Sequence, residues 1–475
     1  MGDEGGVNLF KNNNVKFLFA ILLTAIISAG ITFAFVQQDS GLSQAQEKSD
    51  DPFEKLFSTY DTLKGEFYQD TNQEKLVDGA IKGMIQSLDD PYSTYMDQDE
   101  AKGFNENISS SFEGIGAEVQ ESDGKIMIVS PIKGSPAEKA GLKPKDKILK
   151  VDDKSVEGMT VNEAVMLIRG EKGSKVQLII ERDGVGELDF NLTRDTIPLE
   201  TVYTEVENGI GKVQITKFSE TTGKELADAL NELNKKEVKG LVLDLRQNPG
   251  GLLDQAIAMS DIFVPKGKTI MQIENKDGSK EVQKSQNDSA VNVPVVVVVD
   301  NGTASAAEIM AGALNQSAGI PIVGEKTFGK GTIQTAKSFE DGSSIKYTIA
   351  KWLTPDGSWI HKKGIEPQHK ASLPAYANLP YLNPEKTLKQ EDSSAEVKVA
   401  QQMLKALGYT NIKTDGFFDE STKKAVTEFQ TKNNIEPTGT ISGDTTIKML
   451  ELLQAQLKEN DTQMDEAIKV LNEQM

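Results

Sequence analysis

Ser305, Lys330 and Gln334 are the residues of this chain whose types and spacing could carry out acyl-transfer chemistry. Ser305 lies in DNGTASAAE (residues 300–308), where the apolar run VPVVVVV gives way to helical spacing. Ser305-Ala-Ala-Glu308 fits an S-x-x-E capping box, which would make the serine an ordinary helix cap. The same position suits a nucleophile. Free N–H groups and the positive dipole end of a helix favour an oxyanion, and a strand–turn–helix junction presents a hydroxyl at an exposed edge. An attacking hydroxyl needs a base. His361 and His369 are the two histidines of the chain, in the polar stretch SWIHKKGIEPQHK, and nothing in that stretch marks a carboxylate to orient either one. Lys330, in GEKTFGKGTIQ, is the better candidate, because Gly329 and Gly331 let the backbone approach closely and turn sharply. A lysine base must be neutral near pH 7, and burial lowers an amine's pKa by up to several units. The alternative for a lysine between glycines is a solvated turn. On a strand period of two, Lys330, Thr332 and Gln334 share a face, so Gln334 could hydrogen-bond the amine or hold it against Ser305.

These residues need a buried scaffold. VKGLVLDLRQNPGG (238–251) and the run 293–299 contain consecutive branched residues, the pattern of strands covered on both faces. Each is followed by helical spacing, in LLDQAIAMSDIF and AAEIMAGALNQSAG, so 198–383 reads as an α/β core. SSIKYTIAKWLTPDG, later in that core, alternates as a strand and ends in a turn.

Composition narrows the setting. A length of 475 residues leaves room for roughly three domains of about 150 residues. A net charge of −20 argues against nucleic acid, which needs a basic face. Cysteine is absent, which removes thiol catalysis, disulfides and Cys-based zinc sites and suits an extracytoplasmic protein. With two histidines, no histidine-rich metal site is expected. Residues 17–36 form an uncharged run long enough to cross a bilayer core, after Lys11 and Lys16. The charge bias predicts a cytoplasmic segment 1–16, a transmembrane anchor and the remainder outside, with a cleaved signal peptide as the alternative. A polar linker (37–51) follows, and then a helical region (52–105) with broad apolar stripes, broken by DDPYS at 89–93. Those stripes need a partner, either the main body or a second copy of the chain.

Residues 106–197 read as a compact β-rich module, with strands expected at 117–120, 126–132, 147–151 and 176–182 and helices at 137–140 and 161–169. GIGAEV (114–119), SPAEKAGLKPKDKILKVDD and AVMLIRGEKGSKVQLIIERDG together resemble a PDZ domain of the bacterial protease type. The resemblance implies that Gly114, Ile115, Gly116 and Ala117 receive a peptide's C-terminal carboxylate and that the peptide adds as an edge strand. Arg169 matches an arginine that couples peptide binding to the active site in such modules; a salt bridge or a helix C-terminal charge serves as well. A second linker is expected at 384–395. The segment 396–456 resembles a three-helix peptidoglycan-binding type 1 domain, through Gly408–Tyr409, Asp415–Gly416, Phe417, Thr422, Ala425–Val426, Phe429–Gln430 and Gly439–Thr440. Most of those apolar positions are core by periodicity, so glycan binding and docking or dimerisation both stay open. Residues 457–475 read as a terminal helix, frayed at its end.

Ser305 in NGTASAAEI, Lys330 and Gln334 in GEKTFGKGTIQ, LDLRQNPGG, and TPDG followed by GIEP together resemble the C-terminal processing (tail-specific) peptidases, from about residue 52 to 384. Gln368 departs from the pattern, where an acidic residue is usual. The resemblance implies a multidomain α/β and α+β chain: a crotonase-like α/β protease core with an inserted PDZ domain, an N-terminal helical segment and a small C-terminal three-helix domain. It further implies a Ser305–Lys330 dyad supported by Gln334, and an oxyanion hole from the Ala306 N–H with Gly250 or Gly251. No metal or cofactor is implied. The expected protein is a membrane-anchored, extracytoplasmic serine endopeptidase acting on proteins with exposed C-terminal tails. A homodimer, peptidoglycan as a further partner, and a part in envelope or sporulation signalling go with that expectation. Two rivals are a non-catalytic envelope scaffold and an acyl-CoA enzyme of crotonase-like fold.

Overall fold

The computed structural model describes residues 53–122, 124–288 and 291–475. The expected cytoplasmic segment, anchor and first linker therefore lie outside the described residues. Among the described residues, no helix is long and apolar enough to cross a membrane. The chain divides into two compact units between Met84 and Ile85. In the first unit, the helix Glu54–Glu66 and the one beginning at Gln73 bury no side chain. Phe53, Phe57, Leu63, Val77 and Met84 are exposed there. Periodicity predicted the apolar stripes; it could not supply what covers them.

The second unit is built around a six-stranded sheet. Its order is Val202–Glu207, Ile210–Ile215, Gly240–Asp244, Val295–Val299, Ile322–Gly324, His369–Lys370, with one antiparallel pair and the rest parallel. All residues of Gly240–Asp244 and Val295–Val299 are buried. The two faces are covered differently. Leu241, Leu243, Val297 and Val299 pack with the helices Thr222–Lys235, Leu253–Asp261 and Ala306–Ala318. Val242, Val296, Val298 and Val323 pack instead against Ala467, Val470 and Leu471 of the last helix, Thr462–Asn472. An antiparallel sheet carries Thr94–Met96, Ser344–Leu353, Thr269–Asn275 and Lys280–Lys284, with Thr332–Ser338 also paired to Ser344–Leu353.

The terminal helix, Thr462–Asn472, is packed along its length. Its apolar stripe is needed to bury the second face of a parallel sheet, which cannot be left to water. Arg246 fixes its start: the guanidinium donates to Asp244 (2.9 and 2.7 Å) and to Asp461 (2.7 and 2.8 Å). The second expected linker is also not free chain. Leu382 and Leu388 are buried in the core of the C-terminal module, and Leu388 and Ile441 exchange backbone hydrogen bonds at 2.9 Å. That module carries the three expected helices, Ala395–Ala406, Glu420–Lys432 and Gly443–Glu459. Gln368, the departure from the resemblance, accepts the Ile322 N–H through its side chain (2.8 Å), a structural duty that an amide oxygen fulfils.

The β-rich module has its own core and a six-stranded sheet in which Ala117–Ser122 is an edge strand, followed in order by Lys125–Pro131, Lys147–Val151, Lys175–Arg182 and Gly186–Thr193, with Lys154–Ser155 also paired to Lys147–Val151. An edge strand leaves a row of backbone groups open for one more strand.

Truncating Leu471, which is fully buried, tests the role of the last helix. Leu471→Ala should cost about 2–5 kcal/mol, the range for core leucines. The expected readout is a lower midpoint in denaturant unfolding followed by core tryptophan fluorescence. An unchanged midpoint would mean that the helix is dispensable to the sheet.

Candidate functional site

Ser305 occupies the N-cap of Ala306–Ala318 with φ +54° and ψ −116°, a left-handed setting that a non-glycine residue rarely adopts. Neighbouring groups hold that conformation. Asp300 Oδ1 accepts the N–H groups of Gln247 (2.9 Å), Gly302 (3.0 Å) and Thr303 (3.1 Å), so DNGT is a tight turn locked onto the LRQNPGG segment. The buried Asn248 continues the lock. Its amide donates to the Ile215 carbonyl (2.7 Å), its side-chain oxygen accepts the Gly250 N–H (2.9 Å), and its carbonyl accepts the Ala304 N–H (2.9 Å).

Two glycines make the close approach possible. A Cβ on Gly250 would lie 2.8 Å from both the Ala306 nitrogen and the Ser305 Cβ. A Cβ on Gly251, at φ +147°, would lie 2.0 Å from the Phe218 carbonyl oxygen. The NPGG turn thus lies directly against the start of the serine helix. The Gly250 N–H is engaged by Asn248, whereas those of Gly251 and Ala306 have no acceptor among the described residues.

Glu308 joins the serine to the lysine loop. Its side chain is fully buried and accepts four hydrogen bonds, two on each oxygen. Oε1 takes the Thr327 hydroxyl (2.5 Å) and the Gly329 N–H (2.7 Å); Oε2 takes the N–H groups of Ser305 (2.9 Å) and Lys330 (2.8 Å). Burial pushes the Glu308 carboxyl above its ordinary value, while these hydrogen bonds oppose the shift. Four donors on two oxygens match a carboxylate, because a protonated acid would have to spend one position as a donor.

Lys330 is half-buried. Burial is the main cause that pushes its amine below the ordinary lysine range, and the like charge of Lys346 adds to it; Asp90 and Glu308 pull the other way. The amine lies over the Tyr92 ring, 5.0 Å from its centre, and its carbonyl accepts the Trp352 indole N–H at 2.8 Å. His361 is stacked on Trp359 with ring centres 5.0 Å apart, and meets Tyr92 edge-on at 6.0 Å. Burial and the charge of Lys362 lower the imidazole's pKa, and Nδ1 accepts the Gly331 N–H (3.3 Å), as a neutral ring can. The histidine thus supports the lysine loop.

Gln334 shares a face with Thr332 in the strand Thr332–Ser338, which Lys330 precedes; the register shift beside Gln334 leaves its extra residue, Ile349, on the partner strand. The Gln334 amide donates to Thr332 (2.9 Å) and Thr348 (3.2 Å), and Thr348 donates to Asp90 (2.6 Å). Burial would raise the Asp90 carboxyl, but hydrogen bonds from Ser93, Thr348 and the Tyr92 N–H leave it lowered. Ser305, Ala306, Lys330, Gln334, Gly250 and Gly251 line one cavity of about 520 Å³.

The peptide-binding candidates lie elsewhere. Ile115 is buried, and Gly116 has φ +73° with its absent Cβ only 2.4 Å from Ser135 Cβ. Ala117 opens the edge strand, while Gly114 lies beside Phe112 and Arg169. Arg169 caps the helix Val161–Ile168, pairs with Glu106 (3.1 Å) and covers the Phe112 ring at 4.6 Å.

Asp90, Tyr92, Thr327 and Thr348 were not anticipated, and Glu308 was read only as a cap partner. DDPYS carried a usable signal, since Asp and Tyr beside a proline turn are polar groups fixed on a rigid corner. Its address, 258 positions from Thr348, is set by strand pairing.

Comparison with known proteins shows the family of the chain. The family model Peptidase family S41 matches residues 209–371, and a model of the activating protease CtpB N-terminal domain matches 26–100. A PDZ model matches 127–182 and a peptidoglycan-binding model 393–450. Carboxy-terminal processing protease CtpA of Bacillus subtilis (strain 168) is 58% identical over 463 residues, covering 97% of this chain and 99% of that protein. Carboxy-terminal processing protease CtpB of the same organism is 44% identical over 437 residues, covering 90% and 91%. Among solved structures, a photosystem II D1 C-terminal processing protease is 30% identical with a TM-score of 0.41, covering 68% of this chain and 88% of that one. The elbow serine, the glycine turn and the lysine loop stand in a chain that belongs to the carboxy-terminal processing serine proteases of peptidase family S41.

Proposed function

We propose that this protease works through Ser305 and Lys330, with Gln334 as a supporting residue. Ser305 attacks the peptide carbonyl and forms an ester; Lys330 takes the hydroxyl proton and passes it to the leaving amine. The N–H groups of Ala306 and Gly251 hold the oxyanion, and water then cleaves the ester. The observation that carries this reading is the Glu308 carboxylate, which binds the backbone of the serine and of the lysine at once, beside a cavity both residues line. Gly251 is favoured over Gly250 because the Gly250 N–H already serves Asn248. A donor aimed at developing charge is worth most when it is free and fixed in advance.

The same reading covers the surrounding modules. The PDZ module takes the C-terminal tail of a substrate protein as an added strand on Ala117–Ser122, through the loop Gly114–Ala117. Arg169, bonded to Glu106 of the helix Gln98–Ser109, relays occupancy to the site. Residues 17–36 anchor the chain in the membrane with the catalytic part outside. The exposed apolar side chains of the N-terminal helices form a homodimer contact. The C-terminal module docks on peptidoglycan. A role in envelope or sporulation signalling rests on likeness to the Bacillus proteases.

Labelling with a fluorophosphonate probe tests the dyad. The native chain should label, and Ser305→Ala and Lys330→Ala should lose labelling by several orders of magnitude; labelling unaffected by either change would remove the dyad. Peptide cleavage should rise with pH through the Lys330 pKa, because only the neutral amine accepts a proton and burial has brought that pKa below the ordinary lysine range. Lys346→Met removes a like charge, raises the Lys330 pKa and should move that limb of the kcat/KM profile to higher pH. Glu308→Gln turns one accepting oxygen into an NH2 facing two donors, and each buried donor left unsatisfied costs about 1–3 kcal/mol. We expect a lower melting midpoint together with at least a roughly tenfold slower labelling rate.

A further inference from the structure

The active-site cavity has an unusual charge. Lys217, Lys330 and Lys346 line it, and among its lining residues there is no aspartate or glutamate, in a chain of net charge −20. Apolar side chains, including Phe104, Ile108, Phe218 and Leu252, supply most of the remaining wall. Lys330 must be neutral to act as a base, which leaves Lys217 and Lys346 as the two amines that can meet an anion. Neither has a carboxylate partner in ion-pair range among the described residues. The Lys217 amine donates to the neutral Asn107 side chain (2.9 Å), and the Lys346 amine lies 5.3 Å from the centre of the Phe104 ring. Burial pushes the Lys217 amine below its ordinary value. A half-buried ammonium against apolar walls is costly unless something pairs with it. Other lysines of this chain do meet carboxylates, as Lys212 does Glu207 (2.6 Å) and Lys351 does Glu274 (2.9 Å).

We propose that Lys217, in the field of Lys346, binds a carboxylate of the substrate inside the catalytic cavity. This goes beyond tail capture by the PDZ module, because it gives the cavity a selectivity of its own for chain segments that carry a negative charge near the bond to be cut. It rests on the reading of this cavity as the peptide site. The carboxylate has two sources, the α-carboxylate of a short tail reaching past the scissile bond or the side chain of an aspartate or glutamate. Low-dielectric walls strengthen the attraction, and Asn107 holds the amine while leaving two of its three protons for the ligand. Attraction to such a cleft also raises the local concentration of acidic chains, against the repulsion of the acidic protein as a whole.

Binding to the full chain carrying Ser305→Ala tests this without any dependence on catalysis, so its result stands apart from the Ser–Lys mechanism. Fluorescent apolar hexapeptides would be titrated in two matched pairs: free acid against C-terminal amide, and, in the amidated series, one internal Glu against Gln. Each pair gives a preference ratio for the Lys217, Lys217→Met and Lys217→Arg forms, so losses common to both peptides cancel. We expect one ratio to fall roughly tenfold or more in Lys217→Met, the scale of a hydrogen bond to a charged group, and to be kept in Lys217→Arg. The pair that responds identifies the source, and the PDZ contribution to the free-acid pair remains in every form. Ratios equal in all three forms for both pairs would overturn the proposal.

Discussion

The Glu308 carboxylate is the interaction on which the site depends. Serine and lysine lie on different elements, one at a helix start and the other in a glycine loop. A single buried anion with four donors converges them at the backbone level. The arrangement is stable because every lone-pair position is used, and a fully satisfied buried anion is far less costly than an unpaired one. Its charge also works against the neutrality that the proposed mechanism asks of Lys330, as does that of Asp90. Burial and Lys346 act the other way and prevail. The Lys330 amine is therefore tuned by a balance among groups from four separate segments.

The same economy governs the glycine turn. NPGG is locked from one side by Asn248 and from the other by the Phe218 backbone, and the missing Cβ atoms bring it against the serine elbow. The strain at Ser305 is held by this packing, with Asp300 fixing the turn that precedes it. Pre-set donors of this kind need no rearrangement as charge develops on the substrate.

Much of this was legible in the residues. Consecutive valines announced buried parallel strands, and the glycines beside Lys330 announced a close approach. The S-x-x-E spacing announced a helix start. Those signals are local. What sequence could not convey was address. Asp90 and Tyr92 read as a helix-breaking corner until the pairing of Thr94–Met96 with Ser344–Leu353 brings them to the lysine. Gln334 was expected on one face with Thr332 by a count of two, and their side chains do meet, but the bond to Thr348 that links Gln334 to Asp90 depends on a strand pairing that the count could not supply. The apolar stripe of the last helix was visible, but its partner was not, because amphipathicity specifies a face and leaves its neighbour open.

That last helix has a consequence for when the enzyme comes into being. The sheet strand that ends at Asp244 leads straight into the arginine and the glycine turn, and the helix that seals its far face follows everything it covers in the chain. A core whose lid follows it in the chain, with a whole three-helix module in between, cannot close before that module has been made. Covering of the sheet's second face thus waits until residues 462–472 have been made, and a chain clipped before them would lack the helix that buries Val242, Val296 and Val298.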